Sequence, residues 1–339
     1  MNIKTLPLKS YDKVYITLDL KQSWTLLEIR EQIGAALDYI AEKKLFIISE
    51  KAVGSAEYMD FYLELREKIF MDGGLNPPPN TYEEAASVTK TCMVSIAFYT
   101  IGIKNDTVSA DYLCGSDGKA FGTRLKTRLV TYLYIQNIRL LRLMHKNADE
   151  FKVWKTTNEQ ILQNGFAIQD IVRSGISISE VNRARIEKDA DDFRDYKVCS
   201  DIVCMKSNSG KPNLNHNSQI HYRRTSSYGQ LFEDEDCREL LIDGKSKIKK
   251  TDSLEDTERQ IRRTLENVRL LLEQAGMTYA DVLEATCFFK RKEDYLLYTK
   301  IVKDMGIEDF CSSYAIYDNA REEFLFELHA TAYCAIEID

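Results

Sequence analysis

The sequence predicts an α/β (α+β) chain built from tandem β-α-β-α-β-β units. Three observations carry this prediction. A long apolar helix stripe is followed at once by a strand. The same helix-glycine-strand spacing occurs twice. The chain closes on a run with strict two-residue alternation.

The stripe lies in the last third, from about Arg238 to Asp339. Ile261, Leu265, Val268 and Leu272 recur at spacings of four, three and four, one face of a helix. Asp252-Ser253 is a cap signal before it, and Gly276 suits the position just past its end. Val282 to Phe289 follows as a strand. Tyr295, Tyr298, Val302 and Met305 mark a second helix, and Ser312–Tyr317 and Phe324–Ile338 read as strands. Another strand signal, Glu239–Ile248, precedes the first helix. Asp243-Gly244 inside it is a short turn signal, which leaves a hairpin open as the alternative to one strand.

The second observation is repetition. Leu162-Gln163-Asn164-Gly165 leads to Asp170-Ile171-Val172 as Leu272 to Gly276 leads to Asp281-Val282-Leu283, and both glycines and both aspartates are 111 positions apart. A fainter first copy has a helix near Leu26–Ile40, a strand Leu45–Ser49, a helix Ala56–Phe70 and a strand Met93–Ile103. Three units of about 113 residues account for all 339. The boundaries expected are 1–105, a degenerate N-terminal unit; 106–215, a middle unit; and 216–339, a C-terminal unit. Asn76-Pro77-Pro78-Pro79-Asn80 is a stiff connector through which no helix runs, and 207–213 reads as a turn or long loop.

Composition narrows function. With 46 basic and 53 acidic residues the net charge is −7, which argues against nucleic acid as a partner. Lys245–Lys250 is a short basic run that reads as a solvated turn. No segment reaches the roughly 18 apolar residues of a membrane helix, and the N-terminus has no apolar leader, so a cytoplasmic protein without a membrane partner is expected. Eight cysteines are then expected as thiols. Cys199 and Cys204 lack zinc-knuckle spacing, only four histidines are present, and no Gly-rich phosphate loop occurs. Neither metal nor organic cofactor is expected.

The closing strand carries the third observation and the chemistry. Phe324, Phe326, Leu328, Ala330 and Ala332 fall on one face; Leu325, Glu327, His329, Thr331 and Tyr333 fall on the other. The first face suits the helices. The second sets a carboxylate and an imidazole two residues apart, roughly 7 Å along the strand. In a cleft, burial favours the protonated carboxyl, which is the form that donates a proton. His329 would share or tune that proton. The bland alternative is a solvated face or a structural ion pair.

These residues also resemble a family. Glu258-Arg259-Gln260-Ile261-Arg262-Arg263-Thr264-Leu265-Glu266-Asn267-Val268 is similar to the first helix of the RidA/YjgF superfamily, which reads close to Q-x-R-x-T-L-x-N-I. Ala275-Gly276, Asp281-Val282 and Phe326-Glu327-Leu328 are in step with it over about the last 100 residues. A longer match is to the chorismatase branch. Asp318 to His329 resembles its D-x-C-R-x-D-L-L-x-E-I-E ending, Asp243 to Ile248 its S-G-T-A-S-I turn, Ile220 to Phe232 its tyrosine-rich approach, and Arg173 to Ser177 its R-T-W-I-Y segment.

The resemblance implies tandem RidA/YjgF-like units, each a mixed sheet with its helices on one face, as a homotrimer of barrels or a single-chain pseudo-trimer (a monomer), with sites where units meet. It implies a cofactor-free hydrolase or lyase acting on a small carboxylate metabolite, chorismate-like, with Glu327 as general acid, or a RidA-like deaminase in which that glutamate positions water. His329 joins Glu327 in the catalytic set; Tyr222, Tyr228, Arg223, Arg224, Arg321 and Ser246 are the substrate-binding set. Two departures favour an alternative. Ser312 stands where RidA-type enzymes hold substrate with an arginine, and acidic Glu233 and Asp234 stand near where chorismatases place another. Bidentate carboxylate recognition needs guanidinium groups. The alternative is a non-catalytic metabolite- or protein-binding module on the same scaffold.

Overall fold

The computed structural model describes residues 1–87, 92–143, 146–180, 194–208, 217–221, 227–234, 236–246, 254–308, 310, 313–316 and 324–336. The first sheet comes from β1 (Asn2–Pro7), β2 (Tyr11–Lys21), β3 (Phe46–Gly54), β4 (Asn80–Glu84) and β6 (Cys92–Ile103), with helices α1 (Leu26–Glu42) and α2 (Ala56–Asp72). Its strand order is β1-β2-β6-β3-β4. The second sheet contains β7 (Ser109–Cys114), β8 (Ala120–Lys126), β9 (Val130–Leu143), β10 (Ile171–Glu180) and β11 (Arg194–Ser207), with α3 (Lys146–Gln163). It runs β10-β11-β9-β8-β7. The third contains β12 (Asn217–His221), β13 (Tyr228–Glu233), β14 (Cys237–Lys245), β15 (Val282–Phe289), β16 (Ser313–Ile316) and β17 (Phe326–Ala335), with α4 (Leu254–Gln274) and α5 (Asp294–Asp304). Its order is β12-β13-β14-β17-β15-β16, and the short β5 (Ala86–Ser87) crosses over from the first unit to extend its edge.

The first and third units share one topology, β-β-α-β-α-β-β, with β1-β2-β6-β3-β4 matching β13-β14-β17-β15-β16. This adds a leading strand to the pattern read from the sequence. The middle unit departs further. Its β10 and β11 pair directly, with no second helix described between them, and an extra strand, β7, lies at its edge.

The repetition is physical. Each unit's first helix ends in the same six-to-one hydrogen bond: Leu45 N to Ile40 O, Phe166 N to Ile161 O, and Met277 N to Leu272 O. The residue before each donor has positive φ: Lys44 at 52°, Gly165 at 80°, Gly276 at 70°. The next strand carries a bulge in every copy, at Ile48, Val172 and Leu283. All three bulged side chains are buried in one shared core.

That core explains the layering. α1 and α2 cover the outer face of the first sheet, and α4 and α5 that of the third; Ile261, Leu265, Val268 and Leu272 are fully buried as the periodicity requires. The inner faces of all three sheets meet around Tyr11, Tyr15, Tyr99, Tyr132, Tyr134, Phe232 and Tyr333. Tyrosines suit such a centre because each ring fills volume while its hydroxyl finds a partner. Tyr15 and Tyr333 share a 2.7 Å hydroxyl contact across units. At one end the Asp234 carboxylate accepts from Tyr11 Oη at 3.0 Å and Tyr132 Oη at 3.1 Å, and from the backbone N–H groups of Asp236 and Cys237. One side chain of the third unit thus ties the other two. Glu233 is salt-bridged to Arg238 at 2.7 Å. The two acidic residues that stand at an arginine position of the chorismatase pattern therefore have structural partners.

The hairpin reading of Asp243-Gly244 is corrected. β14 continues unbroken from Cys237 to Lys245 and pairs with β17 along that whole length. Gly244 is there for space. A Cβ at this position would lie 2.6 Å from Val268 Cγ2 and 3.1 Å from Leu328 O, so glycine lets α4 press onto the sheet.

Candidate active site on the last strand

The alternation of β17 is realised as read. Phe326, Leu328, Ala330 and Ala332 are buried beneath α4 and α5. On the other face Tyr333 and Thr331 are buried, His329 is half exposed, and the Glu327 side chain keeps 13% of its surface. The face runs from the shared core out toward solvent, and Glu327 and His329 occupy its outer end.

Antiparallel pairing brings two more charged residues beside them. On β14, Asp243 is opposite His329 and Lys245 is opposite Glu327; on β15, Thr286 and Phe288 are opposite the same two. Lys245 Nζ donates to Asp243 Oδ2 at 2.7 Å. His329 Nε2 lies 3.8 Å from Asp243 Oδ1 and 3.9 Å from Glu327 Oε2. These separations are too long for hydrogen bonds. Asp243 Oδ1 is buried without a hydrogen-bond partner among the described residues. The Phe288 ring meets the imidazole edge-on at 5.0 Å, which fixes one side of His329.

Lys245 is held from its backbone. Ser227 Oγ donates to Lys245 O at 2.7 Å and accepts from Lys245 N at 2.9 Å, and Asn267 on α4 donates to Ser227 Oγ at 3.4 Å. The ammonium lies 5.8 Å from the Phe324 ring and 6.0 Å from the Tyr228 ring. Tyr228 is half exposed. Partial burial, and then the hydrogen-bonded Asp243 carboxylate, push its hydroxyl above the usual tyrosine range.

The structure thus brings Glu327, His329 and Tyr228 into one neighbourhood. Ser246 follows Lys245 and is buried. Tyr222, Arg223, Arg224, Arg321 and Ser312 lie outside the described residues. Asp243 and Lys245 were missed by sequence reasoning. Their signal was the alternation Cys237, Glu239, Leu241, Asp243, Lys245, hidden because Asp-Gly reads as a turn and Lys-x-Lys as a loop.

Register shows what the site is within the repeat. Counting from the three bulges, Phe288 pairs with Glu327, Val53 with Ser95, and Ser177 with Cys199. The position of Glu327 is therefore filled by a hydroxyl in the first unit and a thiol in the second. Cys199 is buried. Among the described residues no group of three or more His, Cys, Asp and Glu side chains is placed to hold a metal ion, and no helix is long and apolar enough to cross a membrane.

By sequence, no protein-family model and no curated protein matches the chain. By structure, the similar solved proteins are RidA/YjgF proteins and a chorismatase. The chorismatase is 10% identical and covers 96% of this chain and 99% of its own, with a TM-score of 0.48. The YjgF gene product from E. coli is 18% identical over 30% of this chain and 84% of its own, with a TM-score of 0.25. A member of the YjgF/YER057c/UK114 family from Mycobacterium tuberculosis is 19% identical over 28% of this chain and 79% of its own, with a TM-score of 0.23. The strand orders themselves show a mixed α+β fold whose first and third units repeat one topology.

Proposed function

We propose that the Glu327–His329 face is the acid–base centre of a cofactor-free hydrolase or lyase acting on a small carboxylate-bearing metabolite, with the single chain acting as a pseudo-trimer. The observation that carries this reading is the largely buried Glu327 carboxyl 3.9 Å from an imidazole that is itself open to solvent. A buried acid beside an exposed proton carrier can donate to substrate and be recharged from water.

On an enol ether such as that of chorismate, the step is simple to balance. Glu327 gives its proton to the terminal vinyl carbon and leaves an oxocarbenium ion. Water adds to that cation and passes its proton back through His329 to Glu327. The hemiketal then collapses to a free alcohol and pyruvate. On an imine, the same pair would deliver water and release ammonia.

A second reading, a non-catalytic metabolite- or protein-binding module, draws on a specific contact. Lys245, the cation beside Glu327, is already engaged by Asp243 at 2.7 Å. The direct test is to mix the protein with chorismate and follow pyruvate release, and with a reactive enamine or imine and follow ammonia. Turnover that falls at least about a hundredfold in Glu327→Gln supports the enzyme. Binding of these compounds without turnover supports the module. Neither turnover nor binding overturns both.

A further inference from the structure

Helix α4 buries a second stripe beside its apolar one. Thr257, Gln260, Thr264 and Asn267 recur at spacings of three, four and three, and each is at most 3% exposed. Buried polar side chains cost stability unless they are bonded, so their partners show what they are for. Gln260 Oε1 accepts from Leu325 N at 2.8 Å, and Leu325 O accepts from Lys290 N at 3.1 Å. Asn267 Nδ2 lies 3.4 Å from Ser227 Oγ and 3.5 Å from Lys245 O. The same Ser227 hydroxyl bonds both N and O of Lys245.

These contacts fall where strand pairing stops. Lys245 and Glu327 are the last pair of the β14–β17 ladder. Past them, pairing between the two strands no longer fixes their spacing. Gln260 holds the β17 side at Leu325, two residues before Glu327. Asn267 holds the β14 side through Ser227. The two amides are seven residues apart on α4, two turns and about 10 Å along its axis. The repeat shows that the fold does not demand them. Counted back from the hydrogen bond that ends each first helix, Asn267 corresponds to Ala35 and Thr156, and Gln260 corresponds to Glu28 in the first unit. All three counterparts are exposed. The unit that carries Glu327 is the one that buries amides at these places.

We propose that Gln260 and Asn267 are positioning residues, which set from one helix the separation of the two strand ends that present Glu327 and Lys245. The proposal rests on the acid–base reading of the Glu327–His329 face. Neither amide touches substrate; each acts through the backbone of a residue that does. A general acid must meet its substrate atom within hydrogen-bond reach, and a misplacement of about 1 Å costs on the order of a hundredfold in rate. Side chains supported this way hold a site more tightly than a ladder end can, because an end pair has neighbours on one side alone.

The test uses Gln260→Met and Asn267→Leu, which keep side-chain size and remove the bonds, and Ser227→Ala, which frees Lys245 and leaves α4 intact. On a substrate that the parent turns over, each folded variant should lower kcat about tenfold or more with KM within about twofold. In a Glu327→Gln background the same changes should cost less than about twofold. A protein that is merely destabilised loses the same factor in both backgrounds. A second measurement needs no substrate. Carboxyl groups are amidated with a carbodiimide and glycinamide and followed by peptide mass spectrometry. The Glu327 side chain, 13% exposed in the parent, should label at least about threefold faster in the variants, while exposed Asp72 is unchanged. Full kcat in the folded variants, or losses that add to that of Glu327→Gln, would overturn the proposal. If the parent turns over nothing, the acid–base reading fails by itself and the labelling decides: a gain confined to Glu327 supports α4 as the holder of these strand ends, and unchanged labelling overturns it.

Discussion

Lys13 of the first unit and Glu239 of the third form a buried ion pair, Nζ to Oε2 3.1 Å, inside the core that all three sheets share. The ammonium also lies 3.9 Å from the centre of the Tyr333 ring, whose hydroxyl donates to the other oxygen of Glu239 at 3.2 Å. A buried pair of this kind is weak evidence of net stabilisation, but removing one partner strands the other. Lys13→Met is therefore expected to cost about 3–5 kcal/mol in urea unfolding.

The same pair sets a pH dependence. Burial acts to lower the Lys13 pKa, but Cys237 and Glu239 beside it outweigh burial and hold it well above the lysine range. A raised folded value means the contribution is complete below the unfolded pKa of about 10.4 and is lost as pH rises through the folded one. The stability gap between parent and Lys13→Met should be constant from neutral pH to about 10 and narrow above that. Unfolding midpoints for both proteins across that window measure it, and a gap that does not narrow above about pH 10.4 would contradict the assignment.

Lys44 holds a left-handed conformation, φ 52°, at the helix end where the other two units use Gly165 and Gly276. A side chain there costs about 1–2 kcal/mol, partly offset by the greater unfolded-state freedom of glycine. Lys44→Gly should stabilise the chain by about 0.5–1 kcal/mol, whereas Gly276→Ala should destabilise it by a similar amount or more. Paired denaturation curves decide it; a loss of stability in Lys44→Gly would show that the lysine makes compensating contacts.

This substitution also explains what could be read from the sequence. The 111-residue spacing of Gly165 and Gly276 was visible because both units keep glycine at the helix end and then make the same short turn, in which Asp170 and Asp281 accept from the Ala167 and Thr278 N–H groups. The first unit enters its strand directly after Leu45 and has Lys44 for glycine, so its copy was faint although its hydrogen bonds are the same. The helix stripes and the β17 alternation were legible because each reports which face is buried. The site was half legible. Glu327 and His329 share one strand, but Asp243 and Lys245 join them only through strand pairing, which lies 80-odd residues away in sequence and follows no local pattern.

Gly244 tests the corrected reading of β14. With a Cβ 2.6 Å from Val268 Cγ2, Gly244→Ala should overpack the contact between α4 and the sheet and cost about 1–3 kcal/mol. If the clash with α4 is the cause, Val268→Ala should cost less in the Gly244→Ala background than alone, a coupling of about 0.5–3 kcal/mol in a double-mutant cycle. Additive losses would place the strain against the Leu328 carbonyl instead.

Asp243 separates two requirements that the site places on charge. Its Oδ2 occupies Lys245, and its buried Oδ1 faces His329 at 3.8 Å. In Asp243→Asn the ammonium loses its counter-charge and becomes available to an incoming carboxylate, so KM for an anionic substrate should fall. The same freed ammonium sits across the strand from Glu327 and favours the ionised carboxyl, which cannot act as an acid. The maximum rate should therefore drop about ten- to a hundredfold while KM improves. Steady-state kinetics on whichever substrate turns over measures both. A kcat that holds while KM falls would remove Glu327 from the chemical step and leave Lys245 as a binding group alone, because only the acid is sensitive to a cation in the direction predicted.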